Sequence, residues 1–166
     1  VDCRFINYDL GHTIMSMNEN DNYIKIEVWD ISGNERFRSI TKRYWRKCKF
    51  FILCFSLTDY NSFIYIINIF HEMIHMLNTN ELKSNDDNRL LLPCILLGLQ
   101  CDLLDIKRKI PLNEITQFID EFNIPYIEVS TKDNINIRTV LDNVVKERFL
   151  YSSINGITLN RSILSV

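Results

Sequence analysis

The sequence predicts an α/β domain built on a mostly parallel sheet. Two apolar runs, residues 50–55 and residues 90–97, are typical of strands that are covered on both faces. Apolar side chains recur at helical spacing over residues 61–77 and again over residues 115–122. Because strand and helix alternate from residue 50 onward, we expect parallel strands joined by helical crossovers.

The N-terminal part is expected to begin with two half-buried strands. Residues 3–10 and 23–29 alternate between polar and apolar side chains, which predicts strands at both places. The intervening residues 11–22 become polar and Asn-rich, which favours a long hairpin loop. Residues 35–47 carry many charges and are expected to form a loop and a short helix.

The remaining elements follow the α/β alternation. The helix at 61–77 should bury one stripe of side chains: Phe63, Ile66, Ile67, Phe70, Ile74 and Leu77. A polar loop is expected at 78–88, and Pro93 is best tolerated near the start of the second strand. A third strand is expected at 125–129 and a last helix from residue 137 to about residue 150.

Composition narrows the class of protein. A chain of 166 residues with 46% hydrophobic residues can build one globular core, and no apolar run is long enough to span a bilayer. The net charge of −2 argues against a nucleic-acid-binding surface. Five scattered cysteines, mostly inside apolar runs, indicate free thiols in a reducing compartment.

The most informative segment is residues 29–41, which read W-D-I-S-G-N-E-R-F-R-S-I-T. Asp30 leaves a strand, and a carboxylate at that point can hold Mg²⁺ through water. The N–H of Gly33 can reach a terminal phosphate, and the amide of Asn34 can orient a water molecule. The segment therefore indicates a site for a metal-bound phosphate.

This segment closely resembles the switch II segment of Rab-type small GTPases, which usually reads W-D-T-A-G-Q-E-R-F-R-S-I-T. The resemblance continues over residues 1–150: residues 53–59 resemble L-V-Y-D-I-T-D, and residues 123–132 resemble G-I-P-F-L-E-T-S-A-K. It favours Rab over Ras or Rho relatives. It implies a P-loop GTPase-like domain over residues 1–150, with helices on both faces of the sheet, followed by a tail over residues 151–166.

The resemblance also implies roles for individual residues. Asp30 is expected at Mg²⁺, Gly33 at the terminal phosphate, and Asn34 at the catalytic position that glutamine holds in the family. The base-reading N-K-x-D and S-A-K motifs correspond to residues 99–102 and 130–132, whose guanine-binding members would be Gln100, Asp102, Ser130, Thr131 and Lys132. The surface aromatic triad that receives protein effectors corresponds to Cys3, Trp29 and Tyr44, with cysteine replacing an aromatic residue.

Several family features are changed or missing. The sequence contains no G-x-x-x-x-G-K-[ST] motif, so we expect the domain to lack the first strand, the P-loop and the first helix, together with the switch I threonine. Leu99 cannot make the amide contacts of the family asparagine, and Asn34 is one methylene shorter than glutamine. Slow or absent hydrolysis follows. The resemblance implies that an intact relative binds GTP or GDP with Mg²⁺, and for this sequence the alternative that it binds no cofactor stays open.

The missing first strand would leave a gap in the middle of the sheet, between the strands at 23–29 and 50–55. Unpaired backbone groups there would cost about 1–3 kcal/mol per buried group. Three outcomes are compatible with the sequence: it is an incomplete version of a full GTPase, the two flanking strands close up, or tail residues 156–164 fill the gap.

Residues 71–75 offer a different chemistry. His71, Glu72 and His75 match H-E-x-x-H, in which two histidines four apart on a helix bind Zn²⁺ and the glutamate acts as general base. The alternative is an ordinary solvated helix face. No third ligand stands at a suitable spacing downstream, although Asp86, Asp87 or His12 can be considered.

The function expected from the resemblance is regulation of vesicle traffic through GTP-dependent binding of protein effectors. The alternatives are a pseudo-GTPase that binds partners without nucleotide and, more remotely, a zinc peptidase. We expect a cytoplasmic protein, peripheral to endomembranes, without nucleic-acid partners. The sequence has no cysteine after Cys101, so prenylation at a C-terminal cysteine is not expected on it.

Overall fold

A computed structural model describes residues 2–5, 10–19, 22–31, 33, 35–77, 93–103, 108–144 and 162–165. The chain divides into two compact units, Val1–Phe51 with Phe149–Val166, and Ile52–Arg148. The predictions for the polar loop at 78–88, the first residues of the strand at 90–97, the end of the last helix and most of the tail lie outside the described residues.

The first unit begins with three antiparallel strands: β1 (Asp2–Phe5), β2 (Leu10–Glu19) and β3 (Asn22–Ile31). The predicted single strand at 3–10 is wrong, because Phe5 of β1 pairs antiparallel with Gly11 of β2. The predicted loop at 11–22 is also wrong, since β2 pairs with β3 from Leu10↔Ile31 to Glu19↔Asn22. The apolar pattern of β2 is weak, and the strand forms because this ladder satisfies its backbone groups.

The tail supplies a fourth strand to the same unit. Strand β7 (Ser162–Ser165) pairs parallel with β3 on one side, from Ile26↔Ser162 to Trp29↔Ser165. On its other side it pairs parallel with the first residues of β4 (Phe50–Ser56), at Phe50↔Leu164 and Phe51↔Ser165. The strand order is therefore β1-β2-β3-β7-β4. Of the three outcomes considered for the gap, the structure shows the tail in it.

Between β3 and β4 the chain is helical. A 3-10 turn (Glu35–Phe37) leads into helix α1 (Arg38–Trp45), as the charged segment at 35–47 predicted. Trp45 is buried, and Thr41 donates its hydroxyl to the Phe37 carbonyl oxygen at 3.1 Å. The helix ends at Trp45 with Arg46 as its C-cap, and the N–H groups of Lys47 and Cys48 donate to the carbonyl oxygen of Tyr44.

The second unit continues the strand order as β4-β5-β6, with β5 (Cys94–Leu99) parallel to β6 (Tyr126–Val129). Both strands were predicted, and Pro93 immediately precedes β5, where its missing N–H costs no ladder bond. The apolar residues of β4 and β5 are almost all buried, which confirms strands that are covered on both faces.

Two long helices complete the core of this unit. Helix α2 (Tyr60–Leu77) begins where the N–H of Asn61 donates to the Asp59 carboxylate at 3.0 Å. Its buried stripe is Phe63, Ile66, Phe70 and Met73. Met73 was not predicted to be part of this stripe, and the predicted members Ile67 and Ile74 are only half-buried. Helix α3 (Leu112–Phe122) ends at Asn123, whose left-handed backbone (φ 52°) allows Ile124 to donate its N–H to the Ile119 carbonyl oxygen.

An aromatic cluster joins these two helices. The ring of Phe70 on α2 lies 5.3 Å from Phe118 and 4.9 Å from Phe122, both on α3. Nearly perpendicular planes give these pairs edge-to-face geometry, which adds about 0.5–1.5 kcal/mol per pair beyond burial. The last described helix, α4, covers residues 137–144 and buries Val140 and Val144.

Candidate functional site

The first unit carries the predicted phosphate and metal residues at the end of β3. Asp30 is the penultimate residue of the strand, pairs with Gly11 across the hairpin, and is exposed. Gly33 follows the strand and is exposed as well. The predicted catalytic position, Asn34, lies outside the described residues. An exposed carboxylate at the carboxyl end of a strand is free to take part in oxygen coordination of a hard cation.

Two of the three predicted effector residues are in contact. The rings of Trp29 on β3 and Tyr44 on α1 have centroids 4.9 Å apart at an interplanar angle of 35°, and both are half-buried. The third, Cys3, lies on β1 and pairs with Thr13 of β2, so its backbone is two strands away from β3. The structure therefore brings Trp29 and Tyr44 together as an aromatic pair.

The second unit carries the predicted base-reading residues at the carboxyl ends of β5 and β6. Beyond Leu99, Gln100 adopts a left-handed backbone (φ 67°), and a 3-10 turn, Cys101–Leu103, follows. The N–H of Leu103 donates to the Gln100 carbonyl oxygen at 3.1 Å and closes this turn. On the other side, the N–H of Leu57 donates to the Leu99 carbonyl oxygen at 3.1 Å.

The two predicted base motifs come together here. The Asp102 carboxylate lies 3.8 Å from the Lys132 ammonium, so residues from the 99–102 and 130–132 segments face each other. The Asp102 side chain is only 8% exposed, whereas that of Lys132 is 75% exposed. Ser130 is buried and its Oγ accepts the N–H of Asp133 at 3.1 Å, which orders the turn, while Thr131 is exposed.

Comparison with known proteins identifies the family. A model of the Ras family matches residues 6–149, which is most of the chain. The chain belongs to the Ras family.

Relatives of this Ras-family chain carry Rab-type names. It is 33% identical over 124 residues to the Ras-related protein RABE1d of Arabidopsis thaliana, covering 75% of this chain and 52% of the relative. It is 28% identical over 137 residues to the Ras-related protein SEC4 of Candida albicans, covering 81% and 60%. It is 29% identical over 126 residues to the Ras-related protein Rab-3 of Caenorhabditis elegans, covering 76% and 52%. The chain thus spans little more than half the length of these curated relatives.

Sequence reasoning missed one group of residues beside the base-reading segment of this Ras-family chain. Ser56 and Thr58, at and just beyond the end of β4, both donate hydroxyl hydrogen bonds to Oε1 of Gln100, at 2.6 Å and 2.9 Å. Neither residue type has chemistry that stands out in sequence. The available signal was comparative: Ser56 and Gln100 replace the charged Asp and Lys of the family strings.

A second group was also missed, on edge strand β6. Glu128 accepts hydrogen bonds from the Tyr126 hydroxyl at 2.7 Å and from the Arg108 guanidinium. Burial, followed by the hydrogen bond to Glu128, raises the pKa of Tyr126 well above its usual range. Nothing at β6 indicates a reaction; this cluster fixes the edge strand that precedes Ser130.

The H-E-x-x-H segment lies on the outer part of α2. His71 and His75 are exposed, and the His71 ring packs against the edge of Phe122 at 5.5 Å. Among the described residues there is no group of three His, Cys, Asp or Glu side chains that could hold a metal ion. The described part of the chain also has no helix with the length and apolarity needed to cross a membrane.

Proposed function

We propose that this Ras-family chain is a Rab-like regulator of vesicle traffic that holds a guanine nucleotide between its 99–102 and 130–132 segments and recruits protein effectors. The observation that carries the proposal is the juxtaposition of Asp102 with Lys132 at the carboxyl ends of neighbouring parallel strands. Ligands of open α/β sheets bind at this edge.

The surroundings of the Asp102 carboxylate suit the binding of a guanine base. A carboxylate that is only 8% exposed needs hydrogen-bond donors, and among the described residues its ion pair is with an ammonium 3.8 Å away on a largely exposed side chain. Exposed ion pairs contribute only about 0–1 kcal/mol. Hydrogen bonds from the N1–H and exocyclic amine of guanine to a carboxylate would contribute about 1.5–3 kcal/mol each. A guanine can therefore share or displace the Lys132 contact.

In the first unit, Asp30 is the residue proposed to hold Mg²⁺, as the family resemblance implies. Mg²⁺ usually keeps several waters and binds through one or two protein carboxylates plus the phosphates of its nucleotide. One exposed carboxylate at the end of β3, with Gly33 beyond it, fits that requirement. When bound, Mg²⁺ would neutralise phosphate charge, and Asp30 would orient its water shell. Because Asn34 is shorter than glutamine, we propose slow or absent hydrolysis.

The proposed effector surface is built on the Trp29–Tyr44 pair. Half-buried aromatic side chains supply contact area at low entropic cost, which is why they dominate binding energy at interfaces. Cys3 offers much less contact area than an aromatic residue, so affinities should differ from those of Rab proteins with a complete triad. We propose a cytoplasmic location that is peripheral to endomembranes, with effectors and regulators of membrane traffic as partners.

Titration with a fluorescent guanine nucleotide, with and without Mg²⁺, tests the proposal, with an adenine nucleotide as the specificity control. Asp102→Asn should weaken guanine binding at least about tenfold, because it removes charge-assisted bonds. The same variant should gain affinity for a xanthine nucleotide, which carries a carbonyl oxygen where guanine carries the amine. The matched control is Asp133→Asn, an exposed carboxylate three residues beyond Ser130. Equal affinities of parent and Asp102→Asn for guanine would refute the assignment.

The second candidate is a pseudo-GTPase that binds partners without nucleotide. The observation in its favour is that Leu99 and Gln100 have replaced the amide and the cation of the base motif. Submicromolar, Mg²⁺-dependent guanine binding would exclude this candidate. Effector capture that depends on Trp29 and Tyr44 but not on added nucleotide would favour it.

A further inference from the structure

The side chain of Gln100 is held from one side by two hydroxyls. Its Oε1 accepts from Ser56 at 2.6 Å and from Thr58 at 2.9 Å, which fills both acceptor positions of an amide oxygen. The two hydroxyls are themselves fixed: the N–H of Thr58 donates to Ser56 Oγ at 3.2 Å, and the N–H of Ser56 donates to Ser62 Oγ at 2.9 Å. We call Ser56, Thr58 and Gln100 the hydroxyl clamp.

The clamp acts on a strained residue. The described non-glycine residues with positive φ are Gln100 and three asparagines, Asn123, Asn134 and Asn136. Asparagine tolerates this region because its short side chain can bond locally, whereas a longer side chain has no such compensation. Strained backbone persists only where surrounding contacts over-determine it. At Gln100 these contacts include the two hydroxyl bonds to its side chain and the bond from the Leu103 N–H to its carbonyl oxygen, while the Leu57 N–H holds the preceding carbonyl oxygen of Leu99.

The clamp lies directly before the turn that carries Asp102. Gln100 supplies the carbonyl oxygen that closes Cys101–Leu103, so fixing its side chain fixes the start of that turn. Both Ser56 and Gln100 are uncharged here, although the Rab-type strings have aspartate and lysine at these positions. In this chain a hydrogen bond between neutral side chains joins β4 to the loop after β5. In the family, both of these positions carry charged residues.

We propose that the hydroxyl clamp positions the Gln100–Leu103 turn, so that Gln100 is a positioning residue for Asp102 that acts through its amide oxygen. The clamp needs an acceptor at this point and does not need a cation. Its effect on the turn is independent of any ligand, and only its effect on nucleotide affinity rests on the proposed function.

The test uses the full chain and compares two variants of Gln100. Gln100→Met keeps the length of the side chain but removes the acceptor; Gln100→Glu keeps an acceptor for both hydroxyls. Hydrogen exchange is measured at the N–H of Leu103 and of Leu57, which report the turn and its attachment. Loss of two hydrogen bonds should lower protection roughly tenfold or more in Gln100→Met. Protection in Gln100→Glu should stay within about threefold of the parent.

A distant amide separates a local effect from general destabilisation. The N–H of Ile124, which donates to the Ile119 carbonyl oxygen at the end of α3, should keep its protection in both variants. A uniform fall at Leu103, Leu57 and Ile124 would overturn the proposal, because Gln100 would then contribute only to overall stability. Unchanged protection at Leu103 in Gln100→Met, or an equal fall in Gln100→Glu, would overturn it too.

A second pair of variants tests the donors rather than the acceptor. Ser56→Ala with Thr58→Val removes both hydroxyls and should reproduce the exchange pattern of Gln100→Met. If the parent binds guanine nucleotide, Ser56→Ala with Thr58→Val should weaken that binding, because the turn that carries Asp102 loses its support; an unchanged affinity would overturn the positioning of Asp102. A parent that binds no nucleotide refutes the proposed function, and the exchange measurements still decide whether the clamp orders the turn.

Discussion

The neighbours of Gly98 leave no room for a Cβ atom, so replacing this glycine with alanine should destabilise the protein. A Cβ at this position of β5 would lie 2.7 Å from the Tyr126 hydroxyl oxygen and 2.9 Å from Cδ2 of Leu57. Neither neighbour can retreat easily. The Tyr126 hydroxyl is bonded to Glu128 at 2.7 Å and its ring stacks on Phe55, while Leu57 is completely buried.

The magnitude follows from overpacking. One methyl group forced into a filled core costs about 1–3 kcal/mol. For a chain of this size each kcal/mol lowers the melting temperature by about 2–4 °C. Urea unfolding of Gly98→Ala, followed by circular dichroism, should therefore show a lower midpoint with an unchanged slope.

A double-mutant cycle with Tyr126→Phe identifies the cause. Tyr126→Phe alone removes the hydrogen bond to Glu128 and should cost about 1 kcal/mol. In the double variant the closest clashing atom is gone, so the total loss should be smaller than the sum of the single losses by at least about 0.5 kcal/mol. Strict additivity, or a Gly98→Ala protein as stable as the parent, would refute this account of the glycine.

Three further predictions follow from other parts of the structure. Leu164→Pro removes an N–H from a strand with partners on both sides and should cost about 1–3 kcal/mol in urea unfolding, because a ladder acceptor is left without its donor; Leu164→Ala keeps the N–H and should cost less. Burial raises the pKa of the Cys94 thiol to about 12, so above the ordinary thiol pKa the unfolded chain loses a proton that the folded chain keeps. The free energy of unfolding should therefore fall by up to about 1.4 kcal/mol per pH unit in that range, and Cys94→Ala should flatten this slope. Alanine substitution of Trp29 and Tyr44, singly and together, should give a coupling of about 0.5–1.5 kcal/mol in unfolding experiments, and additive losses would show that the ring pair contributes nothing of its own.

The parts of the fold that were predictable are those whose signal is local. The apolar run of β4 and the 3.6-residue spacing of α2 each lie within one element. The strand and the helix both have bounds within one residue of those predicted. Strand β2 was missed because its polar, Asn-ended sequence has no clear alternation. Its structure comes from register with β3, which is a property of two segments and not of one.

The candidate site shows the same division. Asp102 and Lys132 could be placed near each other because the family resemblance assigns both to the guanine base, and the structure shows that both follow neighbouring parallel strands. The Ser56 contact with Gln100 joins residues 44 positions apart through ordinary hydroxyl and amide groups, which no spacing rule singles out. The Tyr126 contact that restricts Gly98 depends on the rotamer of a ring on the neighbouring strand, and sequence patterns do not encode it.

The central position of β7 has a consequence for biosynthesis. A ribosome releases β3 early and Ser162–Ser165 only near the end of the described chain, yet these segments are adjacent in the sheet. Pairings that are so distant in sequence are slow to form, since a large loop must close before any contact compensates for the lost entropy. Until Ser162–Ser165 have been synthesised, the edges of β3 and β4 that pair with β7 stay open, and the nascent chain should depend on chaperones that shield strand edges.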